Sequence, residues 1–252
     1  MRGRLVVLSL VVVGLAAASG PVAAAPKAQI TVYAAASLTD VFPQIDAGQK
    51  YSFGGSNTLA AQIRQGAPAD VFASANMTLP NQLNASGTCS KPVVFTRNTL
   101  VIVVPSSNPA KLRSIYGLTR KGIKLVIAGS GVPVGSYTLQ VLKNMNLSGP
   151  VLANVVSRET DVREVLAKVA LGEADAGFVY ATDAKVDAGK VKVIKVPAWA
   201  QPKVQYGICI VSRSSDKADA QAFINKVMSK TGQAKLRKAG FLARVKAVPK
   251  KR

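Results

Sequence analysis

Histidine does not occur in this chain of 252 residues. Its absence removes Ser-His-Asp and Cys-His catalysis, His-ligated zinc and the commonest general base together. Cysteine is nearly as scarce, with Cys89 and Cys209 alone. Both sit beside apolar residues, so one disulfide in an oxidising compartment and two plain core thiols are both open readings. Acids are few as well, 12 against 33 lysines and arginines, giving a formal charge of +21. So one-sided a charge raises nucleic-acid binding as a reading. The basic residues are dispersed rather than grouped with aromatics, however, which argues against a nucleic-acid groove. A solvated basic surface accounts for the charge, as does a positive field that speeds anion capture or holds the protein near anionic lipid heads. Long apolar runs are missing beyond Pro26, where Lys, Gly, Pro or Asp interrupts each one well short of the ~20 residues a spanning helix needs.

At the N-terminus Arg2 and Arg4 lead, an apolar block runs from Leu5 to Ala18, and small residues follow to Ala25. Charge, then an apolar block, then small residues is the order of an export signal peptide, assigned to residues 1–25. An uncleaved membrane anchor is the competing reading, and the block is short for it. No cysteine stands near the cleavage site, so no lipid anchor is expected and the mature protein is read as free outside the cytoplasmic membrane. Removing the two leading arginines leaves +19 on that mature chain. With 48% hydrophobic residues it can bury a sizeable core.

From Gln29 short β-rich runs alternate with helical ones: QITVYAA, LTDVFPQIDA, YSFGG, NTLAAQIRQG, ADVFASA and TLPNQLN. That alternation predicts a parallel α/β sheet. VVFT and TLVIVVP follow, and the breaker cluster Pro105-Ser106-Ser107-Asn108-Pro109 is read as a crossing out of the first lobe. A second α/β set begins there. KLRSIYGLTRKG, TLQVLKNMNLSG and DVREVLAKVALG are its expected helices, and IKLVIAG, ADAGFVY and KVKVIKV its expected strands. PAWAQPKV is the expected return, with Trp199 as a packing anchor, and VQYGICIV and AQAFINKVMSK supply a further strand and helix to the first lobe. The expectation is thus two α/β lobes joined by two crossings: lobe I from 26–105 plus 201–252, lobe II from 106–200. Such an arrangement makes a hinged clamp.

Several segments put a small polar residue, or bare backbone, where a strand turns into a helix, the place where anions bind in α/β sheets. Ser37 follows ITVYAAA and is expected to cap the next helix, with Asp40 at capping-box spacing. Ser56 repeats the arrangement after Gly54 and Gly55, whose missing side chains let a ligand approach the main chain. Each serine alone reads as an ordinary cap; two at successive turns of one parallel sheet lie side by side. In the second lobe Pro133 leaves the Val134 N–H at a helix opening, and Thr160 is the expected cap of a helix with Val162 in its first turn. Asp161 offsets a helix dipole, Arg163 pairs locally with Glu159 or Glu164, and Tyr180 ends a strand with its phenol available.

VYAAASLTD, FGGSNTLAAQIRQGAPADVFASA, VPVGSY, DVRE and GFVYATDA together resemble the periplasmic molybdate-binding proteins of ABC importers, the ModA family. The resemblance keeps order and spacing over nearly the whole mature chain, and GAPADVFASA after the helix is its most specific stretch. It implies a two-lobe type II periplasmic-binding-protein fold, each lobe a mostly parallel sheet flanked by helices. It also implies a ligand set: hydroxyls of Ser37 and Ser56, backbone N–H of Val134 and Val162, and the phenol of Tyr180. Molybdenum or tungsten enters only within the bound oxyanion, molybdate or tungstate. The expected protein is a monomeric carrier without catalysis, cofactor or nucleic-acid partner, which delivers its cargo to a membrane ABC permease. Two departures stand out: Val134 where relatives often have alanine, and GGSN in place of a serine-richer turn. A donor-only site of this kind rejects protonated oxyanions, because a bound O–H would point a proton at an N–H. Sulfate carries the same charge and no proton, so a sulfate or thiosulfate carrier is the nearest alternative. A secreted enzyme with Ser37 or Ser56 as nucleophile lacks any histidine or nearby lysine to serve as base.

Overall fold

The computed structural model describes residues 29–244, and the expected signal peptide lies outside the described residues. The first half contains β1 (Thr31–Ala35), α1 (Phe42–Ile45), β2 (Lys50–Gly54), α2 (Ser56–Arg64), β3 (Val71–Ser74), α3 (Thr78–Ala85), β4 (Val93–Asn98) and β5 (Leu100–Pro105). Then come β6 (Leu125–Ala128), α4 (Pro133–Asn144), α5 (Ser148–Leu152), β7 (Val155–Glu159), α6 (Val162–Ala170), β8 (Ala176–Tyr180), α7 (Ala181–Val186) and β9 (Val191–Lys195). β10 (Val204–Ile210), α8 (Lys217–Met228) and α9 (Lys230–Ala239) complete the described chain.

These strands form two five-stranded sheets, β2-β1-β3-β10-β4 and β7-β6-β8-β5-β9. In the first sheet β1 pairs parallel with β2 and β3, and β10 runs antiparallel to β3 and β4. The second repeats the plan: β6 pairs parallel with β7 and β8, and β5 runs antiparallel to β8 and β9. Central strands are buried along their whole length and nearly all apolar because both faces are covered: VFAS of β3, LVIA of β6 and AGFVY of β8. The edge strand β9 instead exposes Lys192, Val193 and Lys195, and lysines on an open edge discourage pairing with another chain. On α6 the 3.6-residue spacing of Val162, Val165, Leu166 and Val169 buries all four.

The expected boundary at residue 105 is corrected. β5 belongs to the second sheet, so the chain crosses between lobes at Thr99, the one residue separating β4 from β5. The Pro105–Pro109 cluster is a turn of the second lobe, where Ser106 N–H donates to the Lys190 carbonyl. The chain returns through residues 196–203, and Gln201 there clamps Leu100: its Oε1 accepts the Leu100 N–H at 3.0 Å and its Nε2 donates to the Leu100 carbonyl at 2.7 Å. Trp199 in that return is 66% exposed and anchors no core.

KLRSIYGLTRKG is not an α-helix. Leu112, Ile115 and Leu118 are buried at a spacing of three, which suits the 3-10 turn found over Ile115–Thr119. β7, α5, α7 and α9 have no counterpart in the expected elements. The cysteines are joined, Cys89 to Cys209, with Cα atoms 6.0 Å apart across 120 residues of sequence. The bridge lies in a core satellite of the first lobe with Leu59, Ile63, Phe72 and Leu83.

Candidate functional site

The strand-to-helix turns of both lobes meet around one small cavity, open in part to solvent. Ala35, Ser37, Gly54, Gly55, Ser56 and Ala75 line it from the first lobe; Val132, Pro133, Val134, Asp161, Val162 and Tyr180 line it from the second. All five residues singled out from the sequence, Ser37, Ser56, Val134, Val162 and Tyr180, therefore stand on its wall. No lysine or arginine does, among the described residues.

The local chemistry differs from what spacing suggested. Ser37 caps nothing: it lies inside the 3-10 turn Ala36–Leu38, and its Oγ is 2.9 Å from the Tyr206 hydroxyl. Asp40 forms no capping box and instead pairs with Arg163 across the cleft at 2.5 Å. Ser56 is the first residue of α2, after Gly55 at the cap position, and its Oγ accepts the Ala75 N–H at 3.1 Å. Neither α2 nor α4 has a side-chain cap, so their first N–H groups keep the unmet donor capacity of a helix start. In α4 Pro133 occupies the first position, where it has no N–H to offer, and Val134 follows.

At α6 the cap is Asp161, not Thr160. Its Oδ1 accepts the N–H groups of Arg163 at 2.7 Å and Glu164 at 3.1 Å. The one carboxylate residue on the cavity wall is thereby engaged along its own helix, and the Val162 N–H ahead of those donors is left out of the cap. Thr160 donates instead through both N–H and hydroxyl to the Glu164 carboxylate.

Arg163 does not pair with its sequence neighbours. Its Nε meets the Asp183 carboxylate at 2.6 Å while its other arm reaches Asp40 of the first lobe. Burial works against its charge, yet the facing carboxylates outweigh it and hold its pKa above the ordinary value. Asp183 is fully buried, and burial pushes it up to about 6 against the opposing pull of Arg163. Its Oδ2 also accepts the Tyr180 N–H at 3.3 Å, which pins the end of β8.

Among the described residues two buried side-chain polar atoms have no hydrogen-bond partner, the Tyr180 hydroxyl and the Asn57 Oδ1. Burial drives the Tyr180 phenol far above its usual pKa, so it keeps its proton. A buried, protonated O–H without an acceptor costs about 1–3 kcal/mol, which an acceptor placed in the cavity would recover.

The lobes are in close contact around this space. A Cβ built on Gly55 would stand 2.3 Å from the Thr160 carbonyl oxygen of the opposite lobe. Gly55 has φ −61° and ψ 127°, a conformation open to any residue, so what its missing side chain permits is inter-lobe approach rather than a special backbone shape.

Sequence reasoning missed Tyr206, Asn98 and Thr182. Tyr206 is fully buried on β10 and separated from Ser37 by 169 residues, and its ring packs edge-on against Tyr180 at 5.7 Å. A tyrosine inside a strand carries no local signal of such a partner.

The chain matches the family model described as bacterial extracellular solute-binding protein over residues 30–242. It is 38% identical over 222 residues to the molybdate-binding protein ModA of Mycobacterium tuberculosis, covering 84% of each chain. Among solved structures, the periplasmic molybdate-binding protein of Azotobacter vinelandii superposes with a TM-score of 0.77 at 23% identity, over 86% of this chain and all of that one. The sulfate-binding protein SubI of Mycobacterium tuberculosis superposes at 0.75 and 21% identity, over 84% of this chain and 86% of that one. At such identities the two superpositions speak to the fold alone. It is a fold of two lobes, each built on one five-stranded sheet.

Proposed function

We propose, because this chain belongs to the bacterial extracellular solute-binding proteins and within them to the ModA molybdate-binding proteins, that it captures molybdate or tungstate between its lobes. It then delivers the anion to an ABC permease in the membrane. The ligand is held by the hydroxyls of Ser37 and Ser56, the backbone N–H groups of Val134 and Val162, and the phenol of Tyr180. No bond is made or broken. The protein acts outside the cytoplasmic membrane as a monomer, exported through residues 1–25 and free of a lipid anchor; a disulfide between Cys89 and Cys209 suits an oxidising compartment.

The observation that carries this reading is the Tyr180 hydroxyl, buried without a partner on the wall of a cavity edged by uncapped helix starts. A desolvated dianion needs its hydration replaced by inward donors, and each hydrogen bond to a charged group contributes about 1.5–3 kcal/mol. Helix N-termini add up to ~2 kcal/mol each in partly buried sites. Binding of roughly −8 to −12 kcal/mol, micromolar to nanomolar, is reachable with no lysine in the site. Sulfate is the less supported cargo, since the 38%-identical relative is a molybdate-binding protein while the sulfate-binding neighbour shares the fold at 21% identity.

Calorimetric titration with molybdate, tungstate and sulfate tests the cargo; tight sulfate binding with no molybdate heat would overturn it. Replacing Ser37 and Ser56 together by alanine should weaken molybdate binding by tens-fold or more, since each lost donor leaves a charged oxygen short of a partner. An unchanged dissociation constant in that double variant would remove these residues from the site.

A further inference from the structure

A serine hydroxyl is donor and acceptor at once, so a site meant to offer only donors must dispose of the serine lone pairs. At Ser56 the backbone does this: the Ala75 N–H donates to Oγ, and the hydroxyl proton remains for another acceptor. Ser37 has no backbone partner of that kind, and its one protein hydrogen bond among the described residues is the 2.9 Å contact with Tyr206, in which either oxygen can donate. The direction of that bond decides what the cavity meets. If Ser37 donated to Tyr206, a lone pair would face the anion.

The surroundings set the direction. Asn98 Oδ1 accepts the Thr99 N–H at 2.9 Å, which fixes the orientation of the amide. Its Nδ2 therefore points at Thr182 Oγ1, 2.9 Å away, and at the Tyr206 hydroxyl, 3.4 Å away. Since the Asn98 amide nitrogen can only donate, Ser37 Oγ is the one hydrogen-bonded acceptor for the Tyr206 proton among the described residues, which directs that proton to Ser37. Burial holds that phenol in its neutral form, far above the ordinary tyrosine pKa. The ring is kept in place by edge-on contacts with Tyr180, Phe95 and Phe241, at centroid separations of 5.7, 6.1 and 5.5 Å.

We propose that Tyr206, backed by Asn98, is a specificity-determining positioning residue: it fills the acceptor side of Ser37 so that the only proton of Ser37 points at the ligand, and the site thereby refuses oxyanions that carry a proton. The inference rests on the oxyanion reading above. It assigns to a residue outside the cavity wall the discrimination between molybdate and a hydrogen-bearing anion such as hydrogen phosphate. Without the tyrosine proton, Ser37 can turn over and accept from a P–OH.

The test is calorimetry on Tyr206→Phe, which keeps the ring contacts and removes only the hydroxyl, titrated with molybdate and with inorganic phosphate at neutral pH. Molybdate affinity should fall about tenfold, because the Ser37 proton is no longer aimed, and the ratio of molybdate to phosphate affinity should fall further, because Ser37 can now turn to accept from phosphate. In a Ser37→Ala background the same change should have little effect on either anion, since the two residues act through one hydrogen bond. An unchanged ratio in Tyr206→Phe, or independent effects in the double variant, would overturn the assignment. Should the phenylalanine variant yield too little folded protein, Ser37→Ala alone reports the same ratio, and an unchanged value there is equally fatal. A wild-type protein that binds no molybdate would fail the function itself; normal wild-type binding with an indifferent Tyr206→Phe would fail only the role of Tyr206.

Discussion

The first lobe brings two serine hydroxyls to the cavity, each with its oxygen engaged by another group of that lobe, whereas the second lobe brings helix starts and a phenol. The contrast extends to how each lobe is held. A disulfide joins Cys89 to Cys209 in the first lobe, which also holds the Lys226–Asp46 ion pair, while the second lobe has apolar packing and ion pairs alone, Arg163–Asp183 and Lys168–Glu159 among them. Hydroxyls can rotate and need neighbours to aim them; backbone donors are aimed by the helix itself. The lobe with the rotating donors is also the one with the covalent tie.

That contrast can be broken most forcefully at the disulfide. Closing a loop of this length is worth about 5 kcal/mol in the chain-entropy account, so replacing both cysteines by alanine should lower stability by that order. Hydrogen exchange should quicken in β3, β4 and β10 and hardly change in β6 and β8. Equal acceleration in both sheets would mean that the lobes do not differ in how they are secured.

A smaller effect, on closure rather than folding, is expected at Gly55. Alanine there is compatible with the backbone, but its Cβ would meet the Thr160 carbonyl of the other lobe. Molybdate affinity should drop by about a hundredfold while the unfolding midpoint stays put, and small-angle scattering should show that ligand no longer compacts the protein. Tight binding by Gly55→Ala would show that contact of the lobes at this point is dispensable.

The backbone donors of the second lobe are sharpened as a class by Val162. Proline is tolerated at the first helical position, and Asp161 before it is already extended at φ −152° and ψ 177°. Val162→Pro should therefore keep α6 and remove one N–H, weakening molybdate binding by about tenfold. Val162→Ala, which keeps the donor, should bind nearly as the wild type does. Equal losses in the two variants would assign the effect to side-chain packing.

Much of this arrangement was legible in the chain because it is local. Alternating apolar runs marked the central strands, and the four valine and leucine positions of α6 marked its buried face. The five cavity residues were found because each sits at a strand-to-helix turn within a recognisable motif. What stayed hidden was non-local. Leu100–Pro105 reads as one more strand after Val93–Asn98, and nothing in six apolar residues says which sheet will take them; a polar turn at 105–109 then looks like a boundary. Asp40 and Arg163 carry good local explanations as cap and helix pair, but they meet each other across the cleft. Tyr206 gains its importance only once β10 returns to the first sheet and lays its hydroxyl against Ser37. Thr160 and Asp161 are both acceptable caps, and the choice turned on Glu164, whose carboxylate takes both donors of Thr160.

The passage between lobes at Thr99 has a mechanical consequence. One residue links β4 to β5, and the returning strand is tied to that same place by the two-pronged grip of Gln201 on Leu100. The two connections are thus fastened to each other where they run side by side, like the leaves of a door on a single pin. A rotation about that shared point is the motion such a fastening favours over sliding or shear. Release of the cargo would then take the form of a rotation guided by an amide off the cavity wall, on the strand partner of Tyr180.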